Sequence, residues 1–343
     1  GGVHIQNLKK LPDLCDVVAV SDPFEENAKR RATEFNIPHV FKDHSDILKR
    51  SDIDAVIICV PNKLHAPIAV DSIKAGKHVV LEKPMAIDLA AAKEIVKAHK
   101  GSGKIMMLPH QMRWEWVSEE IKKQVAAGAL GKIYHAKTSW LRRKGIPGWG
   151  SWFTTRSESG GGPLIDIGVH MLDLTFHLMG TSSKPVSVFG ATYAELGSKK
   201  KGIGGWGTPD WKGKFDVEDF ATAVIRLEDG GTIQLDVSWA LHVDNDNSAP
   251  SIQVFGTDGG AIWKGKKGRF MTEAFGRTAD VDFETPSNDE GERVRMARHF
   301  LECFRENKEP ISNAMTGFTN MLILDAIYQS SKTGREVILD WNI

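Results

Sequence analysis

The sequence has little of what marks several common classes of protein. Its three cysteines, Cys15, Cys59 and Cys303, are far apart and form no CxxC pair. A disulfide framework is therefore excluded, and a reducing, cytoplasmic setting is expected. Neither sign of charge is in excess, because 44 lysines and arginines balance 44 aspartates and glutamates. We expect no nucleic acid and no membrane surface among the partners. The longest apolar run, residues 55–60, is far shorter than the roughly 20 residues that span a bilayer.

A chain of 343 residues is long for one core and predicts two domains, which we divide at 1–115 and 116–343. The first part alternates short apolar runs with helical patterns. Strands are predicted at 16–21, 55–60, 77–81 and 105–108, and helices at 23–35, 65–75 and 89–100. Continuous apolar strands between helices indicate a Rossmann-type α/β domain, with a doubly wound parallel sheet covered on both faces.

The second part changes to longer segments in which apolar and polar residues alternate. Strands are predicted at 133–141, 186–194, 220–227, 232–240 and 251–255, and helices at 118–127, 162–179, 292–306 and 314–332. This pattern favours an α+β domain with an open, mainly antiparallel sheet, one face of which packs on helices. We expect its other face to form the interface of a homodimer or homotetramer. Residues 197–215, rich in glycine and lysine, predict a long loop.

Asp22 follows the first predicted strand and lies about 20 residues after Gly1 and Gly2. A dinucleotide fold uses this spacing between its glycine turn and the acid that binds the ribose hydroxyls. An aspartate here would repel a 2′-phosphate, which favours NAD over NADP. The alternative is that Asp22 only caps the following helix. The strand that normally precedes the glycine turn is missing, so we expect further residues before Gly1 or between Gly2 and Val3.

The segment GKHVVLEKPMA, residues 76–86, places two opposite charges and a proline directly after an apolar strand. Loops usually carry such groups because water solvates them there. The end of a strand in an open α/β sheet, however, faces the crevice where ligands bind. We therefore predict that Glu82 and Lys83 belong to the active site. The alternative is an ordinary surface pair of charges.

The apolar segment LIDIGVHMLDLTFHLMG, residues 164–180, contains a stripe of polar residues at Asp166, His170, Asp173 and His177. The spacing i, i+4, i+7 and i+11 puts them on one side of a helix. Because buried charge is costly, this stripe indicates a cleft. His170 can act as a general base or acid, with Asp166 one turn away to orient it. A shared metal ion and a purely structural role are the alternatives for this pair, and we predict no metal. Asp173 is expected to make a structural hydrogen bond.

Three segments together resemble the signatures of the Gfo/Idh/MocA oxidoreductases, the relatives of glucose–fructose oxidoreductase and inositol 2-dehydrogenase. They are VIICVPNKLH (56–65), AGKHVVLEKP (75–84) and GGGPLIDIGVHMLDL (160–174). Their order and spacing agree with the family over nearly the whole chain. The glycine fingerprint is incomplete, so contacts with a pyrophosphate beyond Gly1 and Gly2 stay unassigned.

The resemblance implies an NAD-dependent enzyme and gives roles to particular positions. The cofactor would be held or flanked by Gly1, Gly2, Asp22, Pro61, Asn62, His65, Glu82, Lys83 and Gln111. Lys83 would hydrogen-bond the substrate hydroxyl and help to remove its proton, and in the family the bond between this lysine and Pro84 is often cis. Glu82 would balance the charge of Lys83 or hold the cofactor ribose. Arg113, Asp166 and His170 would contact the substrate.

The reaction implied is hydride transfer between NAD and a secondary alcohol of a sugar, inositol or related polyol, with Lys83, Asp166 and His170 as catalytic residues. Two other functions stay open at this point. One is an NAD-dependent glycosidase that oxidises transiently and then eliminates. The other is an NAD-binding regulator without catalysis, against which the joint presence of the three catalytic residues argues.

Aromatic and basic residues outside the periodic segments are candidates for holding the substrate. Trp149, Trp152 and Arg156 lie between two predicted elements, and Trp206 and Trp211 lie in the long loop. Flat aromatic faces suit the apolar faces of sugar rings, and arginine can bind hydroxyls or an acid group. The alternative is that these tryptophans seal loops onto the domain.

Overall fold

The computed structural model describes residues 1–244 and 248–343. In the first part of the chain the helices are α1 (Gly2–Leu8), α2 (Glu25–Phe35), α3 (His44–Leu48), α4 (His65–Lys74) and α5 (Leu89–His99). The strands are β1 (Ala19–Ser21), β2 (His39–Phe41), β3 (Ala55–Ile58), β4 (His78–Leu81) and β5 (Met106–Met107). All of these strands pair in parallel, in one sheet of β1 and β2 and another of β3, β4 and β5.

This part confirms the Rossmann-type prediction and corrects its details. The strands predicted at 16–21 and 105–108 are shorter than expected, and β2 and α3 were not predicted. Val79, Val80 and Leu81 of β4 are fully buried, as a strand covered on both faces requires. The side chain of Asp88 caps α5 by accepting a hydrogen bond from the backbone N–H of Ala91 at 2.8 Å.

The rest of the chain forms a larger mixed sheet with helices on one face. Its helices are α6 (Trp116–Ala126), α7 (Arg156–Ser159), α8 (Val169–Met179), α9 (Glu292–Glu306) and α10 (Ala314–Thr333). Its strands are β6 (Ile133–Leu141), β7 (Pro185–Tyr193), β8 (Phe220–Leu227), β9 (Thr232–Ser238), β10 (Ser251–Gly256), β11 (Gly260–Lys264), β12 (Lys267–Ala274), β13 (Arg277–Glu284) and β14 (Val337–Ile338). Their order is β13-β12-β11-β10-β6-β9-β8-β7-β14, and β6 and β9 form the parallel pair of this otherwise antiparallel sheet.

The sequence analysis missed β11, β12, β13 and β14. Strands β12 and β13 expose residues on both faces and are rich in charge, so they lack the alternation of a half-buried strand. The turn of the hairpin that they form is made by Phe275 and Gly276, both with positive φ. A charged, doubly exposed hairpin gives no hydrophobic period to detect.

One face of the sheet is buried and the other carries exposed apolar side chains. Ile225, Leu235 and Val237 of the buried face lie in the main core with residues of α8 and α10. Helix α9 instead packs against Leu8 and Val80 of the first part, so the chain returns there near its end. The division between 115 and 116 stays a prediction. In the described part of the chain no helix combines the length and apolarity needed to cross a membrane.

Candidate active site

Lys83 and Asp166 meet between the two parts of the chain. Lys83 is the second residue beyond the end of β4 and is joined to Pro84 by a cis peptide bond. Its Nζ donates hydrogen bonds to Asp166 Oδ1 at 3.0 Å and to the Asp166 carbonyl oxygen at 2.9 Å. The two side chains are 19% and 18% exposed, so the pair is mostly buried but not sealed from solvent. Lys83 is therefore not part of an ordinary surface pair of charges.

The carboxylate of Asp166 is held in its charged form by three elements of the fold. Its Oδ2 accepts a hydrogen bond from the indole N–H of Trp239, just after β9, at 3.0 Å. Burial by itself would raise the pKa of Asp166, but Lys83, Arg142 and Trp239 outweigh it and lower that pKa. Asp166 is an anion at neutral pH, and it offsets the charge of Lys83.

The expectation that Asp166 orients His170 is wrong, because the helix is not regular there. Leu164–Gly168 form a π-helical turn that precedes α8. A π turn holds more residues than an α turn, so it rotates Asp166 away from the line set by i and i+4. Asp166 turns to Lys83 and Trp239 instead. Such turns occur often at functional sites.

His170 is a buried, neutral imidazole close enough to Lys83 to feel its charge. It is 8% exposed, and among the described residues its Nδ1 has no hydrogen-bond partner. Its ring lies edge-on to His110 at 6.2 Å and beside Trp140 at 6.5 Å between ring centroids. Burial, followed by the positive charge of Lys83, lowers the pKa of His170 well below its ordinary value. A neutral imidazole can accept a hydrogen bond or a proton from a ligand.

Glu218 anchors the segment that presents Asp166, and the sequence analysis did not identify it. Its Oε1 accepts hydrogen bonds from the backbone N–H groups of Gly162 at 2.9 Å and Leu164 at 3.1 Å, and from the hydroxyl of Tyr328 at 2.8 Å. A Cβ at Gly162 would lie 2.0 Å from the Glu218 carbonyl oxygen, so this position requires glycine. The sequence does contain a pattern that could have identified Glu218. The segment FDVEDF, residues 215–220, places charges beside an apolar strand, as the segment around Lys83 does.

We expect Glu218→Gln to lower the free energy of unfolding by about 1.5–3 kcal/mol, because it removes the charge from several buried hydrogen bonds. Tyr328→Phe removes one donor and should cost about 1 kcal/mol. Denaturant unfolding would measure both changes. As a positioning residue, Glu218 should affect kcat more than KM in its glutamine variant. The exposed Glu228→Gln serves as the control, and an equal change in that variant would contradict the assignment.

The residues expected to hold the cofactor lie along one edge of the parallel sheets, where β1, β3 and β4 end. Asp22 follows β1 and accepts a hydrogen bond from the Phe24 backbone N–H at 2.9 Å. This bond forms a turn just before α2, whose N-cap residue is Phe24 and which has no side-chain cap, so Asp22 does not cap the helix. A carboxylate has further acceptor positions, which fits a ribose hydroxyl. Glu82 is bound by His4 at 2.7 Å and accepts from its neighbour's backbone N–H at 3.2 Å. Glu82 therefore pairs with His4 and not with the Lys83 ammonium group. Gly1 caps α1, and Gly2 begins it.

Two residues expected to flank the cofactor also make hydrogen bonds within the protein. Asn62 follows Pro61 at the end of β3, and its side chain donates to the Ser159 carbonyl oxygen at 2.7 Å. His65 contacts the carbonyl oxygens of Pro84 at 2.7 Å and Val60 at 2.9 Å. Both side chains are buried. They supply hydrogen bonds that backbone carbonyl groups need in the interior of the protein. Gln111, partly buried, begins a short 3₁₀ turn, Gln111–Trp114.

Arg113 does not fit the substrate role expected for it. Its guanidinium donates to both carboxylate oxygens of Asp173 at 2.7 Å and also to the Ile311 carbonyl oxygen. Arg113 is 6% exposed and Asp173 is 1% exposed, so this is a buried ion pair. The structural role expected for Asp173 is confirmed, and its partner is Arg113.

Of the aromatic residues that are candidates for holding the substrate, some pack within the protein and others are exposed. Trp149 is 5% exposed and donates to the Gly197 carbonyl oxygen at 2.8 Å, so it seals the loop 197–215 as the alternative held. Trp152 packs on Phe153. Arg156 lies 3.4 Å from Glu218 and over the ring of Tyr328. The tryptophans that remain exposed are Trp206, at 64%, and Trp211, at 54%.

Comparisons with known proteins agree with this architecture. Residues 1–110 match the Gfo/Idh/MocA model described as an oxidoreductase family with an NAD-binding Rossmann fold, and residues 118–262 match a Gfo/Idh/MocA C-terminal domain. The chain is 30% identical to the D-glucoside 3-dehydrogenase of Escherichia coli K12, over 98% of this chain and 93% of that protein. It is 26% identical to the scyllo-inositol 2-dehydrogenase (NAD(+)) of Bacillus subtilis 168, over 99% of this chain and 93% of that protein.

Among solved structures, a levoglucosan dehydrogenase in complex with NADH and levoglucosan superposes with a TM-score of 0.88 at 22% identity, over 99% of this chain and 96% of that one. That similarity supports the fold. The family models and the 30% identity with the E. coli relative show that the chain belongs to the Gfo/Idh/MocA family of NAD-binding oxidoreductases.

Proposed function

We propose that this enzyme oxidises a secondary alcohol of a sugar, glycoside or polyol, with NAD⁺ as the hydride acceptor, and that it can catalyse the reverse reduction. The observation that carries the proposal is the hydrogen-bonded pair of Lys83 and Asp166 just beyond a parallel strand, with buried His170 close enough for the charge of Lys83 to lower its pKa. The similar proteins named above act on a glucoside, an inositol and levoglucosan, which supports a polyhydroxylated substrate.

Oxidation of an alcohol removes a hydride from carbon and a proton from oxygen, and bound NAD⁺ would supply the hydride acceptor. Lys83 directs two hydrogen bonds to Asp166, and an ammonium group has three N–H donors. The remaining donor can bind the substrate oxygen and stabilise the negative charge that develops there. His170 can accept the hydroxyl proton, and because its pKa is lowered, the imidazolium then passes that proton to water.

A panel of glucosides, inositols and free sugars, tested for NADH formation, examines this function. We expect steady NADH formation with at least one member of the panel. Release of an aglycone without net NADH formation would instead identify an NAD-dependent glycosidase. Tight NAD binding with no response to any member of the panel would support a regulator and contradict the proposal.

We also propose that the exposed face of the large sheet joins copies of this chain into a homodimer or homotetramer. Phe189, 54% exposed, and Val224, 44% exposed, lie opposite each other in the neighbouring strands β7 and β8. Tyr134, 51% exposed, lies in β6, which β9 separates from β8. Exposed apolar groups of this size mark interaction sites. Light scattering at micromolar concentration should report an oligomer that Val224→Lys weakens. A monomeric wild-type protein would contradict the proposal.

The cellular setting proposed is the cytoplasm. Cys15, Cys59 and Cys303 are free thiols in the structure, which suits a reducing compartment.

A further inference from the structure

Three different metal-ligating groups lie together where β3 and β4 end. His4 of α1, Cys59 after β3 and Glu82 after β4 each offer one ligand atom, and these atoms lie within 4.8 Å of one another. His4 is 7% exposed, and its Nε2 hydrogen-bonds Glu82 Oε1 at 2.7 Å. Cys59 lies in an apolar run and would be expected in the core, but it is only partly buried beside the other two.

The separation of these groups is close to that of a zinc site. Tetrahedral Zn²⁺ binds imidazole nitrogen and carboxylate oxygen at about 2.0–2.2 Å and thiolate sulfur at about 2.3 Å. These lengths place the ligand atoms roughly 3.3–3.6 Å apart. Side-chain rotations that move the ligand atoms by about 1 Å would therefore form the site. Three protein ligands leave the fourth position to water or to another ligand.

The charges of the cluster also suit a divalent cation. Imidazole, thiolate and carboxylate are all ligands that Zn²⁺ takes in proteins, and thiolate and imidazole suit it in particular. A Zn²⁺ ion held by a neutral imidazole, a thiolate and a carboxylate would leave a site without net charge.

We propose that His4, Cys59 and Glu82 bind one Zn²⁺ ion, and that this ion and the dinucleotide exclude each other. The ends of β3 and β4 belong to the edge where such a sheet binds its ligand. A Zn²⁺ ion bound to Glu82 would occupy the carboxylate that is expected to hold the cofactor ribose, and it would so hinder binding of the cofactor. This site does not depend on which alcohol the enzyme oxidises, so it can be tested without a substrate.

The test uses the whole protein, with Zn²⁺ affinity measured by competition with a chromophoric chelator and Co²⁺ as a spectroscopic probe. We expect one ion per chain and a thiolate-to-cobalt charge-transfer band. Cys59→Ser should remove that band and weaken zinc binding by at least about tenfold, since even the loss of an outer-shell partner costs about 10–100-fold. Cys15→Ser and Cys303→Ser, which keep all three ligands, are the matched controls. Saturating NAD⁺ should weaken zinc binding in the wild-type protein.

Equal zinc affinity in Cys59→Ser and in the two controls would overturn the site. Loss of the cobalt band in Cys303→Ser rather than in Cys59→Ser would overturn it as well. Zinc binding that depends on Cys59 but does not respond to NAD⁺ would overturn the competition. Circular dichroism of Cys59→Ser would show whether the variant is folded, and His4→Gln provides a second route to the same loss of affinity.

Discussion

Replacing Lys83 by alanine is expected to lower kcat by about 10²–10⁴-fold while NAD⁺ still binds, because general acid–base groups contribute about that much to rate. The variant loses the donor that faces the substrate oxygen, and it leaves the carboxylate of Asp166 without its cationic partner. Steady-state kinetics and a direct titration with NAD⁺ measure the two effects separately. Lys83→Met, closer in size, tests whether the loss comes from charge rather than from volume.

The companion variant is His170→Ala, which should show a similar loss of kcat because it removes the proton acceptor. Lys29→Ala, at an exposed lysine of α2, is the control for a change of net charge and should leave kcat unaltered. Near-normal kcat in both Lys83→Ala and His170→Ala would remove the mechanism proposed here. Loss of NAD⁺ binding in both would show instead that the cleft holds the cofactor alone.

Breaking the buried pair of Arg113 and Asp173 is expected to lower the free energy of unfolding by about 3–5 kcal/mol, because an uncompensated charge is then left in the interior. Asp173→Asn and Arg113→Met should each show this loss in denaturant unfolding. The double variant Arg113→Met/Asp173→Leu should recover much of it, since no charge then remains unpaired. The double variant should also keep its KM, and a large rise in KM would restore the substrate role first expected for Arg113.

The same pair predicts a dependence of stability on pH. Burial alone would raise the pKa of Asp173, but Arg113 and His110 outweigh it and hold that pKa below its ordinary value. A carboxyl with a lowered folded-state pKa stabilises the protein above the ordinary carboxyl pKa and loses that contribution as the pH falls through the folded-state value. Acid unfolding should therefore be less steep in the double variant than in the wild-type protein.

Much of the fold was predicted from local sequence pattern, and the elements that were missed have a common cause. The buried strand β4 was predicted because Val79, Val80 and Leu81 form a continuous apolar run between turn residues. The hairpin of β12 and β13 was missed because its residues are exposed on both faces and carry charge. A hydrophobic period appears in the sequence where one side of a helix or strand is buried. A strand that is exposed on both sides therefore has no such period.

The candidate site was likewise predicted only in part from the sequence. Lys83 and Asp166 were identified from charge placed against apolar sequence, and the structure brings them to 3.0 Å. The orientation of Asp166 toward Trp239 depends on the π turn at Leu164–Gly168, which the helical period does not reveal. The family resemblance assigned Arg113 to the substrate, and the sequence near a strand end does not show whether the partner of an arginine is a ligand or a buried aspartate.

By itself, the sequence determined the class of fold, the strand ends that carry charge and the three motifs that mark the family, because each depends on neighbours along the chain. Only the tertiary structure decided how the polar groups pair: Lys83 with Asp166, Glu218 with the turn at Gly162, and Arg113 with Asp173. These partners lie far apart in the sequence and meet only when the core closes. Since a buried polar group must find a partner wherever the fold places it, those pairings follow from packing and not from local sequence.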